Sequence, residues 1–153
     1  MMEHVNILPL TEDRFDHFIA LIDALAAYEK LDPPGDAARE RLRNDAFGER
    51  PRYQAFLALL DESVVGYAIC FETYSSFLAR PTMYLEDLFV LEDARKHGVG
   101  GALFDHVRAL AVERHCGRME WQVLDWNMLA RDFYHRRSAQ HMKEWMLYRI
   151  TLD

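Results

Sequence analysis

Between Met83 and Leu110 the chain reads MYLEDLFVLEDARKHGVGGALFDHVRAL, and this stretch constrains the fold more than any other. Tyr84, Leu85, Leu88, Phe89 and Val90 put apolar groups on both faces of Met83–Val90, which predicts a central strand covered on both sides. After Gly101, apolar residues at Leu103, Phe104, Val107, Leu110 and Ala111 follow the spacing of an amphipathic helix. Between strand and helix stand Arg95, Lys96, His97, Gly98, Val99, Gly100 and Gly101. Glycines allow successive N–H groups to turn toward one point, and a helix starting there adds the positive end of its dipole. The loop therefore suits a pyrophosphate, with Arg95 and Lys96 adding direct charge.

Two common phosphate motifs do not fit. No Lys-Ser or Lys-Thr follows the glycines, as a P-loop needs, and the dinucleotide fingerprint lacks its third glycine. What remains is Arg-x-x-Gly-x-Gly between a strand and a helix. The 153 residues, half of them hydrophobic, suffice for one core and predict a single domain over 1–153. A net charge of −7 argues against a nucleic-acid partner and is compatible with a cationic substrate. Cys70 and Cys116 have neither disulfide nor metal spacing, and the histidines form no ligand constellation, so no metal is assigned. The apolar run in MMEHVNILPL is short for a signal peptide and no run reaches membrane-spanning length, so no membrane partner is expected and the protein is expected in the cytoplasm.

Along the chain, Val5–Leu8 predicts a strand, and Thr11 an N-cap for a helix with Phe15, Phe18, Ile19, Ile22, Leu25 and Ala26 on its apolar face. Leu31-Asp32-Pro33-Pro34-Gly35 breaks that helix, and a second covers about Asp36–Phe47, ending at Gly48. Gln54–Leu60 and Val64–Tyr74 read as a hairpin, Ser75–Pro81 as a loop into the Met83–Val90 strand. Beyond the long helix come a strand at Met119–Leu124, a helix at Met128–Arg137 and a final strand at Trp145–Leu152. The fold class is α/β, a central mixed sheet flanked by helices.

Three features carry candidate chemistry. Glu86 and Asp87 lie inside an apolar strand, where an unpaired charge is costly; they must be paired, at a cleft or at a bulge. Neighbours on a regular strand point to opposite faces, so the two are not expected to share one role. Asn127 and Tyr134 are seven residues apart, about two helical turns, so both can face one ligand. Asn127 also fits as an N-cap, and Tyr134 as a core aromatic beside Phe133.

Five blocks in order, Leu25–Leu31, Phe47–Tyr53, Tyr84–Val90 with its glycine loop, Val123–Asn127 and Phe133–Arg137, resemble the diamine or spermidine/spermine branch of the GNAT superfamily of N-acetyltransferases. The Leu-Asp-Trp-Asn and Tyr-Glu-Lys-Leu blocks, with Tyr74-Ser75-Ser76-Phe77, look most like members that favour thialysine-like or small diamine substrates. The resemblance implies the GNAT fold, acetyl-CoA as cosubstrate, a small-molecule amine acceptor, direct transfer in a ternary complex and a homodimer. It implies that backbone groups of Leu88, Phe89 and Val90 hold the pantetheine arm between splayed strands, and that Lys96, His97, Gly98, Val99, Gly100 and Gly101 hold the pyrophosphate, with Asn127 a further cofactor contact. Tyr134 is similar to the family's general acid toward the thiolate; a phenol of reference pKa about 10 arrives protonated. Glu86 matches the residue that faces the acceptor amine and helps remove its proton, leaving Asp87 a structural role. Tyr28 and Glu29 match positions that bind the acceptor's distal ammonium; a solvated helix-end carboxylate is the plain alternative for Glu29.

Ser75 and Phe77 stand where polyamine-acetylating members carry an acid and an indole, which argues against spermine. Ser138 replaces the glycine usual after the Tyr134 helix, and Ser138–Trp145 is shortened in a region that helps form the dimer and cover the acceptor site. Acetylation of another amine (an amino acid, a drug, a protein N-terminus) and a CoA-binding sensor without turnover are the other readings of the same residues.

Overall fold

The computed structural model describes residues 4–152. The N-terminal reading rests partly on Met1, Met2 and Glu3, which lie outside them. Five strands form one sheet in sequence order: β1 (Val5–Pro9), β2 (Gln54–Leu60), β3 (Ser63–Ser75), β4 (Arg80–Val90) and β5 (Arg118–Trp121). The first four pair antiparallel and β5 joins β4 in parallel, so the sheet is mixed as expected. Parallel entry requires a crossover, and the amphipathic stretch after the glycines supplies it as α3 (Val99–Glu113).

The sheet is covered on both faces. Phe15, Phe18, Ile19 and Leu21 of α1 (Phe15–Glu29) pack with Leu57, Leu59, Tyr67, Ile69 and Phe89. On the other face lies α3, whose Val99, Leu103, Phe104, Val107 and Ala111 are buried. Each such side chain contributes about 1.5–3 kcal/mol, enough together to fix the sheet between the two helices. The more polar α2 (Asp36–Phe47) has no fully buried residue and is tied to α1 by the Arg39–Asp23 ion pair at 2.9 Å.

The chain divides between Trp121 and Gln122 into two compact units. The second holds α4 (Met128–Arg136) and, among its described residues, no strand. The strand expected at Trp145–Leu152 is therefore absent: alternation makes a segment fit for a sheet, but a strand exists only where a neighbour completes its ladder. Trp145 and Tyr148 are 77 % and 84 % exposed.

Smaller departures share a physical basis. The strand expected over Met119–Leu124 runs Arg118–Trp121, and the loop expected at Ser75–Pro81 is a tight turn because β3 and β4 pair out to Ser75↔Arg80. Thr11 precedes a 3-10 turn, Glu12–Arg14, without capping it through its side chain; its hydroxyl donates to Asp13 instead. The long helix begins at Val99, so Gly100 and Gly101 belong to its first turn.

Candidate active site

β4 pairs with β5 only through Thr82–Leu85, opposite Arg118–Trp121, whereas its pairing with β3 continues to Val90. Glu86–Val90 thus runs on beyond the last β5 pair, and Leu88, Phe89 and Val90 keep an edge outside the ladder. An extended chain bearing amides can hydrogen-bond to such an edge as an added strand does. Gly66 sits opposite Val90, and a Cβ there would stand 2.8 Å from the Phe89 carbonyl oxygen, so glycine alone fits without a shift.

The loop that follows has the conformation its composition predicts. Lys96 and Gly98 both adopt left-handed backbone, φ 69° and 78°, and Gly98 is the N-cap of α3. A Cβ on Gly98 would meet nothing within 4 Å, so the glycine is required by its dihedral and not by space. Ala102 N–H closes the first helical bond, to Gly98, and the first-turn amides of Val99, Gly100 and Gly101 precede it without intrahelical acceptors. The Val99 side chain is buried and anchors the helix start, while Lys96 and His97 are exposed. The donor set fits a pyrophosphate. Arg95 lies differently from the direct phosphate contact expected of it: its Nε donates to the Val90 carbonyl at 3.0 Å and its guanidinium lies over the rings of Tyr28 and Phe89, at 5.1 and 5.8 Å.

A cluster of carboxylates and aromatic rings is assembled from three elements. Tyr28 and Glu29 close α1, where Lys30 turns left-handed (φ 61°) and the Lys30 and Leu31 amides bond back to Ala27 and Ala26, a Schellman ending made without glycine. Tyr28 and Tyr67 each lie 6.4 Å from Phe89 between ring centroids. The Tyr67 hydroxyl donates to Asp87 Oδ2 at 2.9 Å. The register also changes between Ile69 and Cys70: Ile69 pairs with Asp87 but Cys70 with Leu85, which leaves Glu86 as the extra residue of a β-bulge. The bulge interrupts the alternation on which the expectation of opposite faces rested, and Glu86 and Asp87 act on each other electrostatically, together with Glu29.

Burial pushes the Asp87 carboxyl up to about 6; the Tyr67 hydrogen bond opposes this, and the charges of Glu86 and Glu29 reinforce it. Desolvation also raises Glu29. The Tyr67 phenol is pushed far above its ordinary range by burial and by these carboxylates, so it remains a donor at any working pH. Asp87, expected to be structural, is the most perturbed carboxylate of the cluster. Neither its shift nor the part played by Tyr67 has a signal in the sequence, because both depend on the register of β3 against β4.

In the second unit Asn127 caps α4, its Oδ1 accepting from Ala130 N–H at 3.1 Å, as the capping reading requires. Tyr134 is largely buried and meets Phe133 edge-on at 5.4 Å. Ser138 takes the left-handed conformation of the missing glycine, φ 64°, and the Ser138 and Ala139 amides bond to His135 and Tyr134. The helix end that a glycine would make is therefore preserved. In the first unit, buried Ser75 accepts the Leu78 amide within the β3–β4 turn and Phe77 is 97 % exposed. Burial raises the Cys70 thiol to about 11, which suits a core residue and not a nucleophile. Among the described residues no group of His, Cys, Asp and Glu has the geometry to hold a metal, and no helix is long and apolar enough to cross a membrane.

The chain is similar in sequence and fold to known proteins. Residues 20–139 match the model of the Acetyltransferase (GNAT) family. A thialysine N-epsilon-acetyltransferase of Bos taurus is 33% identical over 97% of this chain and 94% of its own length. An L-ornithine N5-acetyltransferase of Arabidopsis thaliana is 43% identical over 69% of this chain, which is 47% of the plant protein. An aminoglycoside N-acetyltransferase solved in complex with CoA superposes with a TM-score of 0.76 at 20% identity, covering 98% of this chain and 97% of that one, a likeness of fold. The chain is an N-acetyltransferase of the GNAT family, in the branch that includes the thialysine N-epsilon-acetyltransferases.

Proposed function

We propose that this protein transfers the acetyl group of acetyl-CoA to a primary amine of a small diamine, polyamine or lysine-like (thialysine) metabolite, directly and in a ternary complex. The observation that carries this reading is the meeting of Glu29 at the end of α1 with Glu86 and Asp87 around the buried phenol of Tyr67 on β3, Glu86 and Asp87 lying on β4, the strand that leads toward the glycine loop. Three carboxylates beside Tyr28 and Phe89 suit a cationic amine, since both charge and aromatic faces attract ammonium groups. The relatives named for thialysine and ornithine, each bearing a side-chain amine, support the acceptor class. The CoA held by a protein of the same fold supports the cosubstrate.

In this reading Leu88, Phe89 and Val90 hold the pantetheine through their backbone, and Lys96 through Gly101 hold the pyrophosphate. Asn127 is a further cofactor contact. Tyr28 and Glu29 bind the far end of the amine, Glu86 faces the reacting end and helps remove its proton, directly or through water, and Tyr134 protonates the departing thiolate. A protonated Cys70 favours direct transfer over an acylated enzyme. Ser75, buried in its turn, supplies no charge for a long polycation, which favours short acceptors. The protein works as one domain over residues 1–153, a reading supported by the family match spanning both units, and as a cytoplasmic homodimer.

The test is release of free thiol from acetyl-CoA across thialysine, lysine, ornithine, putrescine, spermidine and amino acids. Short side-chain diamines should give the highest kcat/KM. Thermal stabilisation by acetyl-CoA without turnover on any amine would show a CoA-binding module instead.

A further inference from the structure

The loop that begins at Arg95 and the last turn of α1 are far apart in sequence, and one side chain joins them. The Arg95 Nε donates to the Val90 carbonyl at 3.0 Å, which fixes the guanidinium over the end of β4. From there its centre lies 5.1 Å from the Tyr28 ring and 5.8 Å from the Phe89 ring, and these two rings are themselves 6.4 Å apart. No carboxylate of the described residues pairs with Arg95, so its charge is held by the aromatic faces. The helix turn on which it rests is marginal. Lys30 closes α1 in the left-handed region, φ 61°, where glycine is usual, and Tyr28 and Glu29 are only half-buried. Beyond Leu31 the chain runs through Asp32-Pro33-Pro34, outside any helix.

We propose that Arg95 is a positioning residue that couples the cofactor loop to the acceptor end of α1, so that CoA and the amine each strengthen the binding of the other. This rests on the acetyl-transfer reading given above, in which Lys96 through Gly101 hold the pyrophosphate and Tyr28 and Glu29 the far end of the amine. Arg95 directly precedes left-handed Lys96, and its Nε bond reaches back to Val90, where β4 ends. A ligand that fixes the loop backbone therefore fixes the base of this side chain, and the guanidinium then favours the formed last turn of α1 over a frayed one. Formed, that turn holds Tyr28 and Glu29 in place; frayed, it holds neither. Both ligands thus favour the same state of one two-state element, which is what reciprocal coupling requires. A cation–π contact at a half-exposed site shifts an equilibrium by about twofold to fivefold, and this sets the size of the coupling.

CoA without its acetyl group forms a complex with the amine in which nothing reacts, so the coupling can be read at equilibrium by calorimetry. In the unaltered protein, saturating CoA should lower the Kd of the best acceptor amine about twofold to fivefold, and saturating amine should lower the Kd of CoA by the same factor. Arg95→Gln and Tyr28→Leu should each bring that factor to about 1, and the double variant should do no more than either alone. Tyr28→Phe keeps the ring and should keep the factor, whatever it costs in amine affinity. Hydrogen exchange supplies a readout that needs no amine. The Lys30 and Leu31 amides, bonded to Ala27 and Ala26, should exchange more slowly when CoA binds the unaltered protein, and should not respond in Arg95→Gln. A CoA-induced rise in Tm shows that a variant is folded; should either fail to fold, the other still reads the coupling, and exchange in the unaltered protein needs no variant. A coupling factor near unity in the unaltered protein, a factor that survives Arg95→Gln, or α1-end amides that ignore CoA overturns the proposal. So does an Arg95→Gln protein that loses only Tm and CoA affinity, since a merely structural residue would do the same. The acetyl-transfer reading survives those results; it fails separately, and takes the proposal with it, if the unaltered protein acetylates no amine.

Discussion

Two regions of one strand differ in how they were built. Where β4 ends, the loop from Arg95 to Gly101 works through backbone: left-handed Lys96 and Gly98 and the first amides of α3. A few residues earlier, at Glu86 and Asp87, the strand works through side chains whose properties come from Tyr67 on β3 and Glu29 on α1. A backbone cradle needs only local conformation, which glycines announce. A tuned carboxylate needs neighbours distant in sequence, brought close by register, and these no short motif encodes.

Substitutions can break this contrast. Tyr134→Phe should cost the most, about 10²–10⁴-fold in turnover, with acetyl-CoA binding measured calorimetrically left near its original value; an undiminished rate, with chemistry limiting, removes the acid assignment. In the cradle, Gly98→Ala has space but the wrong dihedral, so it should cost about 1–2 kcal/mol of stability by denaturant titration. It should also raise the KM for acetyl-CoA more than it lowers kcat, the reverse of what is expected at Tyr134. Gly66→Ala would set a methyl against the Phe89 carbonyl and should destabilise by about 1–3 kcal/mol; a neutral change would show that β3 yields easily there.

Asp87 should also reveal itself in stability. Its carboxyl is pushed up to about 6 in the folded chain, above the value of about 3.9 expected when unfolded. Folding is favoured while both states are protonated, and the advantage is lost as pH rises through that window. Asp87→Asn, which cannot ionise, should therefore gain stability over the unaltered protein as pH rises from about 4 to 6, the gain staying level above, on the order of 3 kcal/mol, read as a rise in Tm. A gain independent of pH would speak against burial of the charge. The smallest effect belongs to the end of α4, where Ser138→Gly should stabilise by about 0.5–1 kcal/mol by relieving a left-handed serine, without moving the pH profile of catalysis.

Much of the fold is legible in the residues. The bounds of α2 and β2 agree with their sequence patterns because both are punctuated, α2 by Gly35 and Gly48 and β2 by the polar residues around it. The helix ends were harder, since α1, α3 and α4 are followed by left-handed Lys30, His115 and Ser138, and none of these residues carries the glycine signature of such a turn. Trp145–Leu152 shows the opposite failure, a good strand pattern without a strand among the described residues.

In the site, glycines marked the left-handed turn that opens α3, and Asn127 marked a helix start it does cap. Glu86 and Asp87 were conspicuous as charges in an apolar run, and a bulge was one of the resolutions open to them. What the sequence could not assign was which of the two would be the more buried. Alternation along a strand is a local rule, and the bulge that suspends it arises from how β4 is registered on β3.

By itself, then, the sequence determined the mixed sheet with its crossover helix, the glycine turn that opens that helix and the acidic character of the strand before it, because hydrophobic period, glycine freedom and charge are properties of the chain. Only the tertiary structure decided that Arg95 turns back onto Tyr28 and Phe89, and that Asp87 meets the Tyr67 hydroxyl and carries a raised pKa. Desolvation and hydrogen bonding depend on what surrounds a group, and folding is what supplies those surroundings.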